Sequence, residues 1–384
     1  MTTLTRSGEG ISAAEFAERR KRVEDATAKA GFDALIAFTA TNLLGPSAYL
    51  TGYEPRFGPR EVALVVLVPR GRATLITYGY WDEIAPKPWI DEQIVKPNLD
   101  EIGRMLAERI PQHATRVGVA GYPLLPAKFA AAIAEARPNA RLEDATTFLI
   151  SQAVVKSPAE VEILRDTARM TDAGVEAFLA GVREGSDEMD IALAVDAAMI
   201  RAGADRVAFP SLIFSGPRVE TGIGFAQRRR PERGEQLNIV VGAQRLGYKM
   251  DIGRVACFGR PSDAHRAVMD TAADMLDAML AVVRDGAPVV AIPDAAARVV
   301  RERGITEWAY RFGVPGYTGH GIGCWLDEPP RLRSGEEGSL AAGMVLILEA
   351  RLGREGRGGA TITEPVLVTK DGAERLSSVP LRTW

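Results

Sequence analysis

The sequence predicts a two-domain α+β protein, with a smaller α/β domain first and a larger domain of strands and paired helices after it. Three observations carry this. At 384 residues the chain exceeds one ordinary core, given about 100 to 200 residues per domain. Helical and strand patterns alternate through the first half, then break at Gln152 to Ser157, where Pro158 opens a new long helix. The expected domains are therefore residues 1–152 and 153–384.

In the first domain Ser12 and Glu15 read as a capping box for a helix running to about Ala30, with Gly31 as its stop. Asp33–Phe38 follows as a strand. Val62–Val68 and Ala73–Tyr78 read as neighbouring strands, Leu99–Ile110 as a helix, Val117–Ala120 as a strand and Pro126–Ala136 as a helix. Beyond the boundary, Ala159–Leu179 and Glu188–Arg201 carry helical apolar spacing. Strands are expected at Val207–Phe214, Gln236–Val241 and Gly247–Phe258, helices at Ala264–Val283 and Ile292–Arg303, and strands at Met344–Ala350 and Ala360–Val368.

Composition excludes several classes of function. Hydrophobic residues make up 46% and charged residues 25%, the balance of a globular protein. The net charge of -3 arises from 47 basic and 50 acidic residues mixed along the chain, so no basic face for nucleic acid is expected. Met1–Gly10 lacks the apolar core of a signal peptide and no window approaches the roughly 18 apolar residues of a membrane span, so no membrane partner is expected. Two cysteines form neither a disulfide framework nor a zinc cluster, and the cytoplasm is the expected compartment.

The second half carries six ordered motifs: Lys156-Ser-Pro-Ala-Glu160, Phe209-Pro-Ser-Leu-Ile-Phe-Ser-Gly216, Met250-Asp-Ile-Gly-Arg254, Gly319-His-Gly-Ile-Gly323, Gly343-Met-Val-Leu-Ile-Leu-Glu349 and Val366-Leu-Val-Thr-Lys-Asp-Gly372. In this order the set resembles the pita-bread family of creatinase and the proline-specific aminopeptidases. The first 150 or so residues resemble that family's N-terminal domain. The resemblance implies an α+β pita-bread C-terminal domain preceded by a smaller α/β creatinase-type domain, and a homodimer.

The family's metalloenzymes hold two divalent ions with two Asp, one His and two Glu, a donor set suited to hard cations. By position Asp251, His320 and Glu349 match the second Asp, the His and the first Glu, while Val240 stands for the first Asp and Thr363 for the last Glu. Glu364 lies one residue beyond Thr363, and successive strand side chains face opposite ways, so it reaches the site only after a slip or bulge. Asp327 falls where the peptidases carry a second histidine. Arg60 falls at the spacing of a creatinase arginine that binds a substrate carboxylate across the dimer, a task suited to a bidentate guanidinium.

The resemblance and the depleted ligand set together favour a metal-independent, creatinase-like hydrolase of a C–N bond in a small, carboxylate-bearing substrate, with no cofactor and no peptidase activity. His320, Glu349, Asp251 and Asp327 are the catalytic candidates, and Arg60, Arg218, Tyr248 and Trp325 the substrate-binding ones. Aromatic packing is the alternative for Tyr248 and Trp325, and an ordinary loop role for Arg218. The competing functions are a lyase, isomerase or cyclase using the same pocket, a mono-metal Xaa-Pro peptidase-like enzyme with its ion on Asp251, His320, Glu349 and Glu364, and a non-catalytic binding protein.

Overall fold

A computed structural model describes residues 10–40, 45–55, 61–78, 86–95, 98–221, 223–305 and 316–384. The chain forms two compact units, Met1–Ala153 and Val154–Trp384.

The first unit runs α1 (Ala13–Lys29), β1 (Ala34–Ala40), α2 (Gly45–Thr51), β2 (Val62–Leu67), β3 (Ala73–Tyr78), β4 (Glu92–Val95), α3 (Ile102–Arg109), β5 (Arg116–Ala120), α4 (Ala127–Ala136), β6 (Arg141–Asp144) and α5 (Thr146–Ser151). Its six strands lie in the order β4-β3-β2-β1-β5-β6. The hairpins β1–β2 and β2–β3 are antiparallel, whereas β1–β5 and β5–β6 are parallel and need helical crossovers. Ser12 caps α1 by accepting from the Glu15 amide. The core joins Ile36, Leu64, Val66 and Val119 of the sheet to Leu106, Phe129 and Ile133 of the helices. The polar strands β4 and β6 and the short helices α2 and α5 escape the sequence reading because they lack a periodic apolar pattern of usable length.

The second unit runs α6 (Pro158–Gly181), α7 (Glu188–Arg201), β7 (Arg206–Val207), β8 (Leu212–Ser215), β9 (Gln236–Val241), β10 (Ala243–Arg245), β11 (Tyr248–Lys249), β12 (Ile252–Cys257), α8 (Asp263–Leu280), α9 (Ala291–Glu302), β13 (Gly319–Gly321), β14 (Glu328–Arg331), β15 (Val345–Arg354), β16 (Gly358–Val368) and β17 (Ala373–Arg375). The main sheet follows the order β14-β13-β15-β16-β12-β9-β8, with β17 also on β16, and β7, β10 and β11 form a small separate sheet. Two expected strands are thus divided. Val207–Phe214 becomes β7 and β8 in different sheets, and Gly247–Phe258 becomes β11 and β12 around Met250-Asp251.

The starts of α6, α7 and α8 are set by side chains. Ser157 and Glu160 complete a reciprocal capping box with Pro158 in the first turn, and Asp187 and Ser262 cap α7 and α8. Leu346, Leu348, Ala350 and Leu352 of β15 share one core with Val268, Leu276 and Ile292 of the helices. The intervening residues of β15, among them Glu349 and Arg351, take the other face. No helix among the described residues is long and apolar enough to cross a membrane.

Candidate functional site

Strand pairing assembles the site. Val240, Gly253, Thr363 and Glu349 form one row across β9, β12, β16 and β15. Directly paired residues direct their side chains to the same face. Asp251 precedes Gly253 by two positions, and His320 pairs with Ile347, two before Glu349, so alternation brings all three onto that face. Asp251, His320 and Glu349 are buried, and one ligand atom from each lies within 4.8 Å of the others.

Two glycines make this approach feasible. A Cβ on Gly319, whose φ is +133°, would stand 1.8 Å from the Ile347 carbonyl oxygen, so only glycine brings β13 and His320 against β15. A Cβ on Gly242 would likewise meet the Met250 carbonyl at 1.8 Å, beside Asp251.

The His320 Nδ1 lies 2.9 Å from the Gly321 carbonyl oxygen and donates to it, which leaves Nε2 as the free nitrogen, 3.6 Å from Glu349 Oε1. Burial resists the charged imidazolium, but Glu349 and then Asp251 outweigh it and raise the His320 pKa above its ordinary 6.5. Thr363 Oγ1 donates to Asp251 Oδ1 at 3.0 Å and so orients that carboxylate. Glu349 Oε1 lies 2.8 Å from Arg351 Nη2, while its buried Oε2 has no hydrogen-bond partner.

The remaining candidates are placed unevenly. Asp327 is nearly half exposed, pairs with Arg331, and has Oδ1 3.8 Å from His320 Nδ1. Trp325 is buried beside it, its amide donating to Glu328 Oε1 at 3.1 Å. Tyr248 is also buried, and its hydroxyl donates to Glu160 on α6 at 2.9 Å, which ties the ring to that helix. Arg218 is spent on the buried Glu188 and the Phe225 carbonyl, a support for its own loop. Arg60 lies outside the described residues.

Glu364 is the clearest departure from the metal set entertained for it. It pairs with Leu348 on the opposite face, where its oxygens meet Arg254 at 2.7 Å and Arg375 at 2.9 Å. β16 neither slips nor bulges there, so Thr363 faces the site. Val240 packs with Leu212, Phe214 and Val219, an apolar cluster in the place of a carboxylate. The residue that sequence reading missed is Arg351. Its position two after Glu349 in an apolar strand was the available signal.

An imidazole nitrogen, two carboxylates and an orphaned buried oxygen on one of them fit a single divalent ion, with open positions for substrate and water. The fold and this cluster together define a pita-bread protein with a metal-competent centre, preceded in sequence by a creatinase-type domain. Residues 162–370 match the metallopeptidase family M24 and residues 19–153 the creatinase/prolidase N-terminal domain. The chain belongs to metallopeptidase family M24.

Among curated relatives, an Xaa-Pro dipeptidase of Pyrococcus furiosus is 29% identical over 224 residues, which span 58% of this chain and 63% of that protein. An uncharacterized hydrolase/peptidase of Sinorhizobium fredii is 27% identical and covers 96% of this chain and 95% of its own. The solved structure of an Xaa-Pro dipeptidase from Bacillus anthracis superposes with a TM-score of 0.81 at 24% identity, covering 97% of this chain and 99% of the other. At that identity the likeness speaks for the fold.

These findings overturn the metal-independent, creatinase-like reading and, with it, the absence of a cofactor and of peptidase character. The family is one of metallopeptidases, its named relatives are Xaa-Pro dipeptidases, and the cluster retains a metal-sized donor set. The loss of two ligand positions does not entail loss of the ion, because three donors suffice for one.

Proposed function

We propose that this chain is a divalent-metal-dependent hydrolase of peptide C–N bonds, with dipeptides of the Xaa-Pro type as its substrate class. The observation that carries the reading is the convergence of Asp251, His320 and Glu349 with one Glu349 oxygen left unpartnered. Asp251, His320 through Nε2 and Glu349 through Oε2 would hold the ion. When bound, the ion supplies Lewis acidity toward an amide carbonyl and a nearby water.

The chain's own groups set up the rest. Gly321 fixes the imidazole tautomer, Thr363 fixes Asp251, and the apolar cluster around Val240 keeps bulk water from one side. Asp327 stands at the flank of His320, where it biases the ring orientation and can exchange a proton with substrate or solvent. A homodimer and a cytoplasmic location belong to the same proposal.

The test is hydrolysis of a panel of Xaa-Pro dipeptides by protein stripped with chelator and reloaded with Mn2+. Expected are about one ion per chain and activity that chelation abolishes and Mn2+ restores, with both lost in His320→Ala. Full turnover in the stripped protein would refute the reading.

A further inference from the structure

We propose that Arg351 is a fixed second cation of this site, which occupies one oxygen of Glu349 and weakens the hold on the single divalent ion. The inference rests on the metal-dependent reading above.

Arg351 follows Glu349 by two positions on β15, so both side chains leave the same face. The guanidinium is 6% exposed and permanently charged, and Nη2 stands 2.8 Å from Glu349 Oε1. Among the described residues none of Nε, Nη1 and Nη2 has a hydrogen-bond acceptor, because the contact with Glu349 lies off the N–H directions. Its charge is therefore balanced by Glu349 through proximity alone.

Arg254 supplies the internal contrast. It is fully buried for structural reasons, and its nitrogens are all used, donating to Glu364, Ser377 and the carbonyls of Gly253, Thr363, Val379 and Pro380. An arginine kept only for packing would be expected to resemble it, since an unpaired buried guanidinium is costly. Arg351 instead faces the metal ligands, and with Thr318 and Glu349 it lines a cavity of about 20 Å³, enough for one water.

The charge arithmetic gives this placement a purpose. Val240 and Thr363 are neutral, so the two carboxylates Asp251 and Glu349 are matched by one divalent ion, and the guanidinium adds a positive charge that no proton loss can remove. Glu349 Oε1 stands 2.8 Å from the Arg351 guanidinium, whose charge disfavours a second ion at that oxygen. The guanidinium repels the bound ion and also offers free N–H groups toward negative charge developing on a reacting substrate.

Calorimetric titration of the full-length protein with Mn2+ tests this, with chelator-treated melts as the control for folding. Arg351→Gln should bind Mn2+ about tenfold or more tightly than the wild type, whereas Arg351→Lys, which keeps the charge, should stay near it. Arg351→Met, matched in length, serves if the Gln variant does not fold. Unchanged or weaker binding in the neutral variants, with the wild type binding normally, would overturn the role of Arg351 alone. If wild type and neutral variants all fail to bind Mn2+, the metal-dependent reading falls and the inference with it. Binding by the neutral variants only would be its strongest form.

Discussion

At the scale of single residues the site turns on how each carboxylate is shared. Asp251 keeps one oxygen on Thr363, and Glu349 divides its two between Arg351 and an empty direction. Thr363→Val removes the hydroxyl that orients Asp251 and should weaken Mn2+ binding about tenfold, as loss of an orienting partner does, while Thr363→Ser should keep it. Titration of the two variants separates this from a packing effect. Asp251, His320 and Glu349 were legible in the sequence because glycine-rich and strand motifs fix their spacing. Arg351 was legible only in part: its place two after Glu349 puts it on the site face, but the bonds it does not make are visible only in three dimensions. Tyr248 and Arg218 each reach a buried glutamate far away in sequence, Glu160 and Glu188, contacts that no local pattern discloses.

At the scale of elements the decisive quantity is the register of β16. Glu349 opposite Thr363 and Leu348 opposite Glu364 are consequences of unbroken antiparallel pairing, and the sequence already implied this through the two-residue period of a strand. What it did not disclose was the destination of Glu364, a fully buried pair with Arg254. Glu364→Gln should cost about 3–5 kcal/mol, because Arg254 keeps its buried charge without its main counter-ion. Denaturant unfolding measures that cost. Mn2+ binding per folded molecule should be unchanged, and loss of binding in a folded variant would contradict the register. Short elements such as β10 and β13 were invisible in advance, because two or three residues carry no period and their pairing is set by glycines that admit close backbone approach.

At the scale of the whole chain, two units with separate cores invite separate responses to pH. In the first unit Glu92 receives two hydrogen bonds from Arg109, at 2.9 and 2.7 Å, joining β4 to α3. The Arg109 hydrogen bonds, then that of Thr74, hold the Glu92 carboxyl below its ordinary 4.5 against the cost of burial. A depressed carboxyl stabilises the fold above the unfolded pKa and loses that contribution as pH falls through the folded one. Melts of the wild type from pH 7 to pH 3 should therefore lose stability more steeply than those of Glu92→Gln, and parallel curves would count against the pair.

The Arg254–Glu364 pair also decides what a second ion site would require. Glu364, next to Thr363 in sequence, is bound into the opposite face, and Arg351 lies on the face that Thr363 and Glu349 share. Putting a glutamate back at Thr363 would thus not by itself rebuild a second ion site, for the new charge would meet a resident guanidinium and still lack a partner at Val240. A two-ion centre in this chain therefore lies several substitutions away rather than one, since Val240, Thr363 and Arg351 would all have to change.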